Sequence, residues 1–150
     1  SSNHATGNYE DDYPYSAIVT GQYGGVDPDN IPYVTTSMPI RPDGSYGIGK
    51  VFGEATGRHF SDRHGLSVIC LRIGTLNRES RPLSVRHFAT LLTHRDLVHL
   101  VDRSIQAPLE IKFGIFYGVS NNKWRIWDIS NSRDAIGYNP QDNSEEWRER

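Results

Sequence analysis

The sequence predicts an α/β fold in which a parallel sheet is covered by helices, and its 150 residues suffice for one domain. Three observations lead there. Leu66-Ser-Val-Ile-Cys-Leu-Arg-Ile73 is a short apolar run between Gly65 and Gly74, the pattern of a mostly buried strand. Ile111 to Val119 is a second run of the same kind. Between them Leu97, Leu100, Val101 and Ile105 recur at helical spacing, so the order is strand, helix, strand.

In chain order, Ser1 to Gly7 is short and polar, and residues 8 to 43 are rich in glycine, proline and acidic side chains. Prolines at 14, 28, 32, 39 and 42 interrupt ladders and helices, which predicts a long loop with one extended piece at Ile31 to Thr35. A loop of that length in a compact domain is usually functional or mobile. Five of the eight tyrosines (9, 13, 15, 23 and 33) lie in it, where their rings could cover a ligand or pin the loop to the body. A helix is expected from Asp43, as its cap, to about His64, with Ile48, Phe52, Ala55 and Phe60 near one face and Gly65 as the stop. Gly53 and Gly57 would each cost this helix about 1 kcal/mol relative to alanine, so close packing is their expected motive. Thr93-x-x-Asp96 is a capping-box-like start for the second helix, and Pro108 follows its end. Trp127 to Ile136 is a short third helix ended by Gly137, with Trp124, Trp127 and Asp128 as its anchors.

Two or three parallel strands provide neither the pairing partners nor the core of an independent sheet. The chain is therefore expected to be part of a domain, and no internal repeat hides the missing strands. Ser1, without a methionine or a basic-then-apolar leader before it, reads as a cut end.

Composition excludes several classes of function. Sixteen Lys and Arg against 18 Asp and Glu are spread without a basic block, which argues against a nucleic-acid partner. No run approaches the ~18 apolar residues that would span a bilayer, and a cytoplasmic location is expected. The lone Cys70 lies inside the first strand and has no partner for an intrachain disulfide; a small buried residue is expected there. His59/His64 and His94/His99 are each five apart with no H-E-x-x-H or cysteine cluster, so no metal site is expected and His94 is read as packing the loop before its helix.

The stretch Gly44-Ser-Tyr-Gly-Ile-Gly-Lys-Val51 carries the chemistry, and it can be parsed in two ways. From its outer glycines it is G-x-x-x-x-G-K, close to a phosphate-binding loop. That loop needs a buried strand before it and a hydroxyl for magnesium after the lysine. Pro39 and Pro42 deny the strand, and Val51 lacks the hydroxyl. From its middle it is Tyr46-x-x-x-Lys50, a phenol and an ammonium on one face of a helix. A free tyrosine has a pKa of about 10, and a fixed cation beside it favours the phenolate, bringing it into range as a base.

Ser1-Ser-Asn-His4, Arg41-Pro-Asp43, Tyr46-Gly-Ile-Gly-Lys50, Phe52-Gly-Glu54, Leu66 to Gly74, His94-Arg-Asp-Leu97 and Tyr117-Gly-Val-Ser-Asn-Asn122 follow the order seen in extended short-chain dehydrogenases. The chain most resembles the NAD-dependent epimerase/dehydratase relatives that include uronate dehydrogenases. The resemblance implies a Rossmann-like fold represented by its C-terminal half. Residues 1 to 150 would be the C-terminal portion of an NAD(P)-binding domain, with the substrate-binding part present and the glycine-rich dinucleotide fingerprint absent.

What the resemblance implies for the site is a division of roles. Ser2 would hydrogen-bond the substrate oxygen, with Ser1 as the other candidate; Tyr46 would exchange the proton; Lys50 would hold the nicotinamide ribose and lower the tyrosine pKa. Ile73 would join Tyr46 and Lys50 at the cofactor. Asn3, His4, Thr75 and Arg81 would line the sugar site with Ser2, the guanidinium suiting a carboxylate or phosphate. NAD is the implied cofactor, with NADP open, and the implied reaction is oxidation at C1 of a uronic acid to a lactone. A sugar-phosphate dehydrogenase and a nucleotide-sugar epimerase or dehydratase are alternatives within the family; a fragment that only binds a partner is the alternative outside it. The resemblance also implies a homo-oligomer through the Tyr46 helix.

Overall fold

The computed structural model describes residues 1 to 148. A 3-10 segment, Asn3–Asp11, opens the chain and leads to α1 (Tyr15–Val19), a further 3-10 turn at Pro28–Asn30, and α2 (Ser45–His64). Then follow β1 (Val68–Ile73), α3 (His87–Thr90), α4 (His94–Ile105), β2 (Phe113–Gly118), α5 (Ser130–Ile136) and a last 3-10 turn, Ser144–Trp147.

The two strands are parallel and in register from Val68 opposite Phe113 to Ile73 opposite Gly118. Alternation along β1 sorts its side chains between two layers. Val68, Cys70 and Arg72 meet α2: a Cβ on Gly57 would lie 2.8 Å from Val68 Cγ1 and 3.8 Å from Cys70 Sγ, and Arg72 pairs with Glu54. Gly118 of β2 lies instead against Leu100 of α4, so helices cover both faces. Along its other edge β1 has one bridge, between Ile73 and Ser2.

Several boundaries follow from local chemistry. Gly65 stops α2 in the left-handed conformation at φ 68°, which glycine adopts without strain, and Gly137 ends α5 the same way at φ 72°. The Thr93 hydroxyl accepts the backbone N–H of Asp96 at 3.3 Å and so caps α4. The Asp128 carboxylate receives the N–H of Ser130 at 3.1 Å at the start of α5. His94 packs the preceding loop, its backbone N–H bonding Ser80 Oγ and its ring nitrogen lying 2.8 Å from the Asn77 carbonyl.

The segment expected to be a loop is partly helical, and it supplies core. Ile18 of α1 and Val34 are fully buried with Tyr117, Val119, Ile126, Trp127, Ile129 and Tyr138. Val34 bridges Trp127 as a short parallel pair, which is the extended piece expected at residues 31 to 35. The tyrosines pin this segment down: Tyr9 donates to the Pro39 carbonyl at 3.1 Å, Tyr15 donates to the carbonyl of Pro32, and Tyr23 stacks on Trp124 at 4.1 Å.

Helix α2 departs from its expected polarity. Its buried residues are Gly47, Glu54 and Ser61, spaced seven apart, while Ile48 is 59% and Phe52 74% exposed. Its N-cap is Gly44, which has no side chain to cap with, and Asp43, expected as the cap, lies one residue earlier with its carboxylate against His4. Close packing explains one of the two paired glycines: Gly57 lies against Val68, whereas a Cβ on Gly53 would meet nothing within 4 Å. On α4, Leu100 is buried but Ile105 is 80% exposed, so that stripe is only partly covered. Cys70 is half-buried rather than buried, and burial pushes its thiol pKa up, which keeps it a poor nucleophile.

Gly47 is the position where the helix and the opening segment touch. A Cβ there would overlap the carbonyl oxygen of His4 and lie 2.9 Å from its carbonyl carbon, both backbone atoms. Gly47→Ala is expected to lower stability by about 1–3 kcal/mol, read from the denaturant midpoint, because α2 must back away from residues 2 to 6. Gly53→Ala serves as the control; with open space around it, the change should stabilise by up to about 1 kcal/mol.

Candidate active site

The candidate site lies at the carboxyl end of β1, where ligand crevices of open α/β sheets form. Ser2 bridges Ile73 there, and the 3-10 segment then carries Asn3 and His4 against the first turns of α2. Tyr46 is 60% exposed. Its ring has Lys50 Nζ above it, 4.9 Å from the centroid, and the His4 ring edge-on at 5.6 Å. His4 Nδ1 lies 2.6 Å from Asp43 Oδ2, so an acid two residues before α2 orients the imidazole beside the phenol.

The two adjacent serines have different surroundings. Ser1 Oγ donates to Glu54 Oε1 at 2.6 Å. Ser2, buried, donates to Asn3 Oδ1 and accepts from the His4 N–H, both at 3.3 Å. These are long for hydroxyl bonds, which leaves the Ser2 oxygen weakly engaged and able to take a stronger partner. Asn3 is buried as well, and its Nδ2 has no hydrogen-bond acceptor. A buried amide donor without a partner is costly, and a ligand oxygen is one way to satisfy it.

Beneath the site, Arg72 holds Glu54 through Nε and Nη2, each at 2.9 Å, with side-chain exposures of 1% and 5%. Arg72 Nη1 donates to Tyr117 Oη at 3.2 Å, and Tyr117 Oη lies 2.7 Å from Thr6 Oγ1. Burial alone would raise the Glu54 pKa, but the Arg72 and Ser1 hydrogen bonds and the Arg72 charge outweigh it and hold it below the usual carboxylate value. This chain of contacts joins α2, β1, β2 and the Ser2 segment. It was not anticipated from the sequence, although Phe52-Gly-Glu54 and the arginine inside an apolar strand were its visible signals.

Thr75 follows the strand end, with its Oγ1 2.8 Å from Thr90 Oγ1 and 3.4 Å from Arg86 Nη1. The arginine whose side chain reaches Thr75 is Arg86. Arg81 is exposed, and its backbone is tied into a turn by Asn77, whose Nδ2 donates to the Arg81 carbonyl at 2.9 Å. Arg86 turns inward because Glu10 pairs with it through two 2.6 Å contacts, Nε to Oε2 and Nη2 to Oε1.

Ser2, Asn3, His4, Tyr46, Lys50 and Ile73 are thus gathered at one end of β1, and Thr75 follows the strand with Arg86 against it, while Arg81 is exposed. A groove of about 520 Å³ lies between α2 and residues 38 to 40, with Arg72 and Glu54 among its walls; none of the site residues lines it. Among the described residues no three His, Cys, Asp or Glu side chains gather as a metal site would need, and no helix is long and apolar enough to cross a membrane.

Parallel strands, helices on both faces and a Tyr-Lys helix beside the strand ends define a Rossmann-type α/β protein. Comparison with known proteins makes this more particular: the chain is a homologue of uronate dehydrogenases and related NAD-dependent sugar dehydrogenases. It is 39% identical over 113 residues to the NAD-dependent glucose-6-phosphate dehydrogenase of Haloferax volcanii, covering 75% of this chain and 42% of that protein. It is 38% identical to the L-arabinose 1-dehydrogenase (NAD(P)(+)) of the same organism, covering 74% and 47%. The crystal structure of uronate dehydrogenase from Agrobacterium tumefaciens superposes with a TM-score of 0.72 at 32% identity, over 78% of this chain and 42% of that one. The chain spans less than half the length of these relatives. No protein-family model matches it.

Proposed function

We propose that the protein is an NAD-dependent cytoplasmic oxidoreductase that oxidises a sugar at C1 to the lactone. The observation that carries this is Tyr46 with Lys50 Nζ over its ring and His4 against its edge, His4 following directly on the buried Ser2-Asn3 pair that bridges the end of β1. Residues 1 to 150 then form the C-terminal, substrate-binding portion of a Rossmann-like domain, and residues preceding them supply the dinucleotide loop. The outer edge of β1, which among the described residues pairs only through the Ser2–Ile73 bridge, and the greater length of the relatives support that division.

The residues present suit the nicotinamide end of the cofactor. Among the described residues Lys50 makes no ion pair, which leaves its ammonium for ribose hydroxyls. Ile73, the last residue of β1, directs its side chain toward Gly118 and stands at the strand end. Bound NAD supplies the hydride acceptor. Ser2 Oγ holds the C1 oxygen, and Tyr46 Oη takes the C1 hydroxyl proton as the C–H electron pair passes to the hydride acceptor. Lys50 sets positive charge beside the phenol. Asn3 Nδ2, His4 and Thr75 Oγ1 bond the ring hydroxyls and orient C1.

Sequence resemblance favours a uronic acid among C1 substrates; a hexose phosphate or a neutral aldose would undergo the same step. The exposed Ile48 and Phe52 on α2 support a second copy of the chain against that helix. The test is NADH formation, followed by absorbance, when protein expressed from the complete reading frame is given uronates, hexose phosphates, neutral aldoses and UDP-sugars. Oxidation of an aldose, with one NADH per lactone, is the expected result. Turnover of UDP-sugars alone would move the protein to the epimerases and dehydratases, and no turnover with any sugar would make it a binding module.

A further inference from the structure

The guanidinium beside the sugar site already has its anion. Arg86 and Glu10 meet as a planar fork, two contacts of 2.6 Å, with side-chain exposures of 31% and 13%. Only Nη1 is left over, and it faces Thr75 Oγ1 at 3.4 Å. Glu10 belongs to the same 3-10 segment as Asn3 and His4, so the carboxylate is carried to this place by the element that builds the site. Asp43, bound to His4 Nδ1, adds a second carboxylate whose field reaches Arg86 and reinforces its charged form. The charged groups near Thr75 and His4 are thus the carboxylates of Glu10 and Asp43, the Arg86 guanidinium and, across the Tyr46 ring, the Lys50 ammonium assigned above to the cofactor ribose.

We infer that the Glu10–Arg86 pair makes this a site for neutral aldoses, in place of the uronic acid that resemblance alone favours, and that it rejects uronates and sugar phosphates; the inference rests on the sugar-oxidoreductase function proposed above. A carboxylate or phosphate seeking the fork of Arg86 must displace Glu10, leaving that largely buried acid without its cation. Breaking a largely buried charge pair in this way is strongly unfavourable. A sugar hydroxyl needs no such exchange: it can donate to the outer lone pairs of Glu10 and accept from Arg86 Nη1 while the pair stays intact. Related chains whose names specify glucose 6-phosphate and L-arabinose have similar identity to this one, so substrate charge must be set by individual residues rather than by the fold.

The test compares kcat/KM of the intact protein for L-arabinose and D-galactose with that for glucuronate, galacturonate and glucose 6-phosphate. A preference of at least about tenfold for a neutral aldose is expected. In Glu10→Gln, which keeps the shape and removes the charge, the uronate-to-aldose ratio should rise at least about tenfold. A wild-type protein that oxidises a uronate or a hexose phosphate better than every neutral aldose overturns the inference, whether or not the variant folds. An unchanged ratio in a folded Glu10→Gln protein does the same. If no sugar is oxidised, the proposed function fails, and charge selection is read from calorimetric titration of glucuronate and L-arabinose. Glucuronate binding wild type more tightly than L-arabinose, or binding Glu10→Gln no more tightly than wild type, then overturns it.

Discussion

Replacing Tyr46 by phenylalanine is expected to lower kcat for sugar oxidation by about 10²–10⁴-fold, the usual contribution of a positioned proton-transfer group. The change removes one oxygen. The ring that Lys50 and His4 contact stays, so α2 and its neighbours keep their packing. Tyr46 is also largely exposed, so the variant should unfold at nearly the same temperature as the parent. KM for the sugar should change little, because Ser2, Asn3 and His4 remain to bind it. Steady-state kinetics with NADH detection, paired with a melting curve, make the measurement. An unchanged kcat in a folded protein would remove Tyr46 from the mechanism.

The second large effect concerns stability. Glu54→Gln should destabilise the protein by about 3–5 kcal/mol, since it leaves the Arg72 guanidinium buried without its anion. For a protein of this size that corresponds to a fall in Tm on the order of 10 °C. The loss should depend on pH in a defined direction. Glu54 titrates below the ordinary glutamate value of about 4.3, so its stabilising contribution is complete above that value and disappears as pH falls through the lower folded pKa. The gap in Tm between parent and Glu54→Gln should therefore be widest near neutrality and close in acid. Removing both charges in Glu54→Gln/Arg72→Met should recover part of the loss, because no unpaired ion is then left inside. A gap that widens in acid would contradict the pair as the source.

Much of the chain was legible from local chemistry. The strands were visible as apolar runs between glycines, α4 as a Thr93-capped stripe, and the ends of α2 and α5 as glycines that take up left-handed φ. These features depend on residues within one turn of each other. Tyr46-x-x-x-Lys50 was readable for the same reason, because four residues on a helix share a face. Its glycines were misleading only while the stretch was parsed as a loop; the helix begins at Ser45, and Gly47 is there to admit the His4 backbone.

The less legible features were all nonlocal. An apolar stripe on α2 suggested its buried face, yet the face against the sheet is Gly47, Glu54 and Ser61, since it must admit the His4 backbone and hold Arg72. Arg78, Arg81 and Arg86 crowd one loop, and nothing in their spacing marks which turns inward. Glu10, 76 residues away from Arg86, decides it. The glycine- and proline-rich segment from 8 to 43 looked structureless because its short helices have weak periodicity, and its buried Ile18 and Val34 are isolated in sequence.

The sequence by itself thus determined the α/β class, the order of strand and helix, the kinship with sugar dehydrogenases and the Tyr46–Lys50 pair. Only the tertiary structure decided that Ser1 bonds Glu54 while Ser2 bonds Asn3 and His4, that Arg86 reaches Thr75, and that its charge is already matched by Glu10. The physical reason is range. Caps, turns and periodicity are written in neighbouring residues, whereas the partner of a guanidinium or a hydroxyl is whichever group the packing of distant segments brings within 3 Å.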